Sequence, residues 1–279
     1  MTQHVCDYSW ARPDPAAIKA AGFVAVCRYI SHDRTGKTLT LPEANALHAA
    51  GLGIVLNFED STRRTEGGLG AGQADAVFAN GYADSLGAPP DVPIYYSVDT
   101  DPGSPIRGAV LDYFRGVASV HRRPAGAYGG AVLVQTVKAQ APWGWVANAH
   151  SWDHGVNGDA IGAHLHQIYA HPVGTPLIAG VSPSAYDVST VLQANFGQWG
   201  GTQGDDLTPD QAAQLQKLHD LFFGGVGGGP NHNVSMVHDI ESMIRQVQNK
   251  LNSAVPGAAV DPQLLAAAVA TELAKRLVN

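Results

Sequence analysis

Pro93-Ile94-Tyr95-Tyr96-Ser97-Val98-Asp99 reads as a strand, with apolar and aromatic residues at most positions, proline at its start and an acid where it ends. Such near-continuous apolar strands are buried on both faces, as in the parallel sheet of an α/β protein. A helical pattern over 105–120 follows, then a strand at Ala125-Gly126-Ala127-Tyr128. Working back, Ile54-Val55-Leu56-Asn57-Phe58-Glu59 has the same form and precedes a helix over 70–86 that Gly87-Ala88-Pro89-Pro90 stops. Phe23-Val24-Ala25-Val26-Cys27-Arg28-Tyr29 precedes a helix opened by Thr40-Leu41-Pro42-Glu43. His4-Val5-Cys6, ending in Asp7-Tyr8-Ser9-Trp10, precedes a helix with Asp14 as N-cap and Pro15 in its first turn. Working forward, a short helix over 132–140 is followed by strands at Trp145-Val146-Ala147-Asn148, Leu165-His166-Gln167-Ile168-Tyr169 and Ala185-Tyr186-Asp187-Val188. Eight strands with helices between most of them fit a compact (β/α)₈ TIM-like barrel, with short or missing helices late in the chain; a doubly wound sheet is the alternative. Gly68-Leu69-Gly70-Ala71-Gly72 has the wrong spacing for a dinucleotide-binding turn.

The 279 residues are 45% hydrophobic and 15% charged, which suits a globular chain with a real core. Seventeen basic against 24 acidic side chains give a net charge of −7, so no nucleic-acid partner is expected. No apolar run approaches the roughly 20 residues of a membrane helix, so no membrane insertion is expected. Met1-Thr2-Gln3-His4 lacks a basic segment followed by an apolar one, so synthesis in the cytoplasm without a signal peptide is expected. Cys6 and Cys27 are too few for a disulfide scaffold; they read as buried free thiols, with a bridge between neighbouring strands as the other reading. His164-x-His166 is a weak metal signal without further ligands, so neither metal nor cofactor is expected.

The acids carry the chemistry. Asp7 closes the first strand, Glu59 and Asp60 the third, Asp99 and Asp101 the fourth, and Asp187 lies near the end of the eighth. In a parallel barrel these ends share the C-terminal rim, where barrel active sites lie. Acids after strands also serve as helix caps and loop solvation, so convergence from separate strands is what distinguishes a site. A ring of carboxylates without basic neighbours cannot ionise completely, and at least one member is expected to keep its proton. A protonated acid beside an ionised one is the pair that glycosidic cleavage uses. The candidate catalytic residues are Asp7, Glu59, Asp99 and Asp101. Tyr8, Trp10, Tyr29, Tyr96, Tyr128 and Trp152 are candidate sugar-stacking residues, with ordinary barrel packing as the alternative. Gln167 and Asp187 complete the candidate substrate contacts.

Cys6-Asp7-Tyr8-Ser9, Gly22-Phe23-Val24-Ala25-Val26-Cys27-Arg28-Tyr29, Gly36-Lys37-Thr38-Leu39-Thr40, Glu43-Ala44, Ala50-Gly51-Leu52 and Pro93-Ile94-Tyr95-Tyr96-Ser97-Val98-Asp99, in this order, resemble the Rv2525c-like glycoside-hydrolase-like domain family, DUF1906. That family is similar in turn to the family 25 lysozyme barrels. The resemblance covers residues 3–195. It implies a TIM barrel, a pocket built on Asp7, Glu59, Asp99 and Asp187, and peptidoglycan or another cell-envelope glycan as substrate. The related lysozymes carry Asp-x-Glu after the fourth strand where this chain has Asp99-Thr100-Asp101, so Glu59 is the alternative source of the acid.

The expected organisation is a barrel over 1–197, a helix and glycine-rich linker over 198–229, and a helical segment over 230–279. The linker ends in Gly224-Gly225-Val226-Gly227-Gly228-Gly229, followed by Pro230, a run that cannot pack a core. Thr208-Pro209-Asp210-Gln211 has a capping-box pattern. Val237, Ile240, Ile244, Val247 and Leu251 recur at the 3-4 spacing of a short coiled coil, for which self-association or docking on other tail proteins is expected, with folding back on the barrel as the alternative. By analogy, a glycan-directed barrel joined to an assembling helix suits a bacteriophage minor tail protein of the virion, acting at the host envelope. An endolysin, and a non-catalytic glycan-binding tail protein, are the alternatives.

Overall fold

The computed structural model describes residues 2–33, 35–103, 107–168 and 175–200. The helices expected beyond residue 200, the glycine linker and Tyr169 lie outside the described residues. Eight strands close into a barrel in chain order. They are β1 (His4–Asp7), β2 (Ala25–Ile30), β3 (Gly53–Phe58), β4 (Ile94–Ser97), β5 (Ala125–Gly129), β6 (Trp143–Val146), β7 (Leu165–Ile168) and β8 (Asp187–Val191). The helices between them are α1 (Pro15–Ala20), α2 (Leu41–Ala49), α3 (Gly68–Ser85), α4 (Arg107–Val120) and α5 (Ala131–Thr136).

The class is α/β, but the barrel is not parallel throughout. Each strand from β1 to β6 runs parallel to the next. β8 pairs antiparallel with both β7 and β1. A parallel return needs a crossover connection, usually a helix, whereas an antiparallel one does not. Among the described residues between β7 and β8 only a 3₁₀ turn, Pro183–Ala185, is present. The closed eight-stranded α/β barrel is as expected of a TIM-like fold, and the expectation that its eighth strand is parallel is corrected.

Local sequence explains the helix starts. Asp14 accepts from the Ala16 N–H at 3.1 Å with Pro15 opening α1, and Thr40 accepts from the Glu43 N–H at the start of α2. α3 and α4 cross with their backbones nearly touching. A Cβ on Gly72 would stand 2.0 Å from the Tyr113 carbonyl oxygen, and one on Gly116 would stand 2.1 Å from that of Leu69. The fully buried Asp75 of α3 joins this crossing to its surroundings, accepting from the Tyr113 hydroxyl at 2.9 Å and from Arg64.

Strand alternation separates two apolar layers. Val26, Ile30, Ile54, Leu56, Ile94 and Tyr96 face outward and pack in the core that includes helix residues. Val5, Cys27, Val55, Tyr95, Trp145 and Leu165 fill the barrel. The two cysteines are free: Cys6 belongs to the outer layer and Cys27 to the inner one, so their side chains leave β1 and β2 on opposite faces. Phe196 plugs the end where the strands begin, its carbonyl accepting from the Tyr95 hydroxyl at 2.9 Å. Polar side chains therefore gather at the opposite mouth.

Candidate active site

The alternation that buries Val5 inside the barrel also turns Asp7 inward. The same step of two leads from Cys27 to Tyr29, from Val55 through Asn57 to Glu59, from Tyr95 through Ser97 to Asp99, and from Leu165 to Gln167. Pairing continues past the strand ends, since the Glu59 N–H donates to the Ile30 carbonyl and the Val98 N–H to the Tyr128 carbonyl. Midway, the Ser97 hydroxyl donates to Asn57 Oδ1 at 3.0 Å and Trp145 Nε1 to the Ser189 hydroxyl at 3.0 Å.

Asp187 reaches this mouth for a reason opposite to the one expected. It begins β8, and because β8 is antiparallel, its first residue lies beside the last residue of β1: Asp7 and Asp187 are ladder partners. Antiparallel partners project from the same face, which sets two carboxylates side by side.

Asp7 is only 3% exposed. Gln167 Nε2 donates to its Oδ2 at 3.3 Å and the Tyr29 hydroxyl to its Oδ1 at 3.4 Å. The Gln167 amide is held in that sense because its Oε1 accepts from the Tyr128 hydroxyl at 2.9 Å and the Asn148 N–H at 3.3 Å. Burial first, then the charges of Asp187 and Glu59, push the Asp7 carboxyl from 3.8 up to about 8, against the opposing hydrogen bonds from Gln167 and Tyr29. Half-buried Asp99 is also raised, by burial first and then by Glu59, with Lys37 opposing and Asp187 adding.

The ring of acids is not free of basic neighbours, which corrects that expectation. Lys37 Nζ lies 2.5 Å from Glu59 Oε1 and 4.6 Å from the Tyr29 ring centroid. Lys37 comes from the β2–α2 loop, and strand periodicity gives no sign of it.

The other candidates lie elsewhere. Asp101 pairs with His154, 3.1 Å away, and lines a small cleft between α4 and α5 together with Trp152. His154 there has a left-handed backbone, φ 46°. Tyr96 is buried in the outer layer against Phe58 and Tyr113. Tyr8 is buried behind the mouth, its hydroxyl donating to Glu43 at 3.1 Å. Trp10 is 61% exposed, with Nε1 donating to the Thr35 hydroxyl at 3.3 Å. Asp60 is engaged by Ser31 and His32. His164 accepts from the Gly144 N–H and His166 pairs with Asp159 at 2.6 Å. Among the described residues no group of three His, Cys, Asp or Glu side chains is arranged to hold a metal. Asp7, Tyr29, Glu59, Asp99, Tyr128, Gln167 and Asp187 thus share the mouth, and Lys37 joins them.

A family model described as an Rv2525c-like, glycoside hydrolase-like domain matches residues 16–188. A putative peptidoglycan hydrolase of Mycobacterium tuberculosis, Rv2525c, is 29% identical over 213 residues, which span 69% of this chain and 82% of that protein. The crystal structure of the Mycobacterium tuberculosis Tat-secreted protein Rv2525c in complex with L-tartrate is similar with a TM-score of 0.59 and 28% identity, over 71% of this chain and 99% of that one. A second crystal form of that protein, in complex with HEPES, has the same TM-score and identity.

Proposed function

The chain belongs to the Rv2525c-like, glycoside hydrolase-like family, and on that premise we propose that it cleaves a glycosidic bond in a cell-envelope glycan such as peptidoglycan. The observation that carries the reading is a set of inward-facing carboxylates at one barrel mouth in unlike electrostatic surroundings. Cleavage needs a proton for the leaving oxygen and a carboxylate to meet the positive charge that develops on the sugar. Asp99, half-buried and with its carboxyl raised by its surroundings, is the proton donor in this reading. Glu59, 2.5 Å from Lys37 Nζ, is the base or charge stabiliser in this reading. Asp7, neutral at pH 7 beneath them, is the floor of the site and limits the charge crowded there. The putative peptidoglycan hydrolase to which the chain is similar supports the substrate class.

The test is release of reducing ends from purified cell walls. Wild type is expected to release them, and Asp99→Asn and Glu59→Gln to lose that activity while remaining folded. Unchanged activity in both variants removes the proposal. A second reading, saturable glycan binding without cleavage, is favoured by one observation: Asp101, where the related lysozymes have glutamate, is engaged with His154. Wall binding with no product from wild type would establish it. The 3-4 spacing of Val237, Ile240, Ile244, Val247 and Leu251 supports attachment to a bacteriophage tail through residues 230–279, with an endolysin as the alternative. Light scattering of the full chain against one ending at residue 229 tests self-association: a loss of mass per particle beyond that of the removed residues supports it, and a monomer in both cases ends it.

A further inference from the structure

We infer that Arg28, on the outer face of β2, is the positioning residue that sets Asp7 and Glu59 in register with one another. This inference rests on reading the acid-lined mouth as the site.

By strand alternation Arg28 points away from the barrel interior, on the same face as Val26 and Ile30, and it is fully buried. A guanidinium in such a layer is costly to desolvate, and well-packed apolar residues often serve stability as well or better. What distinguishes Arg28 is where its donors go. Nη1 donates to the Tyr8 carbonyl at 2.5 Å, one residue beyond Asp7. Nη2 donates to the Lys37 carbonyl at 3.1 Å, and Lys37 is the ion-pair partner of Glu59. Nε anchors the group on Glu43 Oε1 at 2.7 Å, and the guanidinium carbon sits 4.4 Å from the Tyr8 ring centroid.

One rigid fork thus spans the β1–α1 loop and the β2–α2 loop, each of which carries or controls an acid of the mouth. Arg12 strengthens the same seam from outside, donating to the carbonyls of Ser9, Ala11 and Gly36 and pairing with Glu43 at 3.3 Å. Planar guanidinium geometry is what allows two carbonyls and a carboxylate to be held at once; an ammonium on a flexible stem does not reproduce it. Arg28 touches none of the mouth carboxylates and acts through Tyr8 and Lys37.

Arg28→Lys keeps the charge and loses the fork. The readout is the titration of the Asp7 carboxyl, followed by carboxyl carbon NMR in the full-length protein. Asp7 faces Asp187, Glu59, Tyr29 and Gln167, and burial is the largest cause of its raised value of about 8. Loosening the Tyr8 and Lys37 loops admits water, so the Asp7 midpoint is expected to fall by at least one pH unit. A lower thermal midpoint with the Asp7 titration unchanged overturns the inference and leaves Arg28 a structural brace. If Arg28→Lys does not fold, Glu43→Gln, which weakens the anchor of the same fork, is expected to lower the midpoint in the same direction, and no movement there overturns the inference equally. Absence of glycan cleavage by wild type alongside a shifted Asp7 titration would remove the proposed function while leaving the positioning role intact.

Discussion

Replacing Asp7 by asparagine should reverse its effect on stability between acid and alkaline pH. The Asp7 carboxyl is raised from 3.8 to about 8 in the folded chain. That gap corresponds to roughly 6 kcal/mol, at ~1.4 kcal/mol for each tenfold change in proton affinity. Because the folded state holds the proton more tightly than the unfolded one, the stabilisation is fully present below pH 3.8, declines as pH rises from 3.8 to about 8, and is gone above. Asparagine carries no such penalty. It does forfeit something at low pH: the Gln167 amide and the Tyr29 hydroxyl both donate to Asp7, and asparagine offers them one acceptor oxygen. One lost hydrogen bond costs about 1–2 kcal/mol. The variant is therefore expected to be about 1–2 kcal/mol less stable than wild type at pH 4, equal to it at about pH 5, and several kcal/mol more stable at pH 9. Urea denaturation of both proteins, followed by tryptophan fluorescence from pH 4 to 9, measures this. A stability difference that stays constant across the range would refute the reasoning, since it would mean that Asp7 ionises as readily in the folded chain as in the unfolded one.

Gly116→Ala places a Cβ 2.1 Å from the Leu69 carbonyl oxygen, and is expected to cost about 3 kcal/mol or more, read as a lower thermal midpoint. Gly81→Ala on α3, where a Cβ meets nothing within 4 Å, is the matched control and is expected to stabilise by about 0.5–1 kcal/mol. Lys37→Met removes a cation that holds the Asp99 carboxyl down, so carboxyl NMR should show Asp99 releasing its proton at a higher pH than in wild type. Trp10→Ala, at an exposed position outside the mouth, should leave stability within about 0.5 kcal/mol of wild type and leave saturable binding to cell walls unchanged in a sedimentation assay.

Much of the barrel follows from short apolar runs, most of which end in an acid or an aromatic residue. Period-two counting from Val55 and Tyr95 carries Glu59 and Asp99 to the interior face, so these two placements are readable without coordinates. The same counting separates Tyr95 from Tyr96: the first fills the barrel and the second packs outward. A list of aromatics near strand ends hides that distinction. Asp101 lies beyond the strand end, where alternation no longer determines direction, and it turns toward His154. The direction of β8 is less legible, because a short run of strand character reads alike in either direction; the short or absent helices late in the chain are the sign of it. Lys37 and the Arg28 fork depend on how two loops fold over one another, a long-range relation with no local pattern.

The side-by-side placement of Asp7 and Asp187, from opposite ends of the barrel sequence, is the contact on which the acid-lined mouth depends. Carboxyl NMR titration of Asp7 in wild type and in Asp187→Asn tests it most directly. The wild-type midpoint is expected at about 8 and is expected to move downward when the Asp187 charge is removed. An Asp7 that titrates at the same pH in both proteins would contradict it.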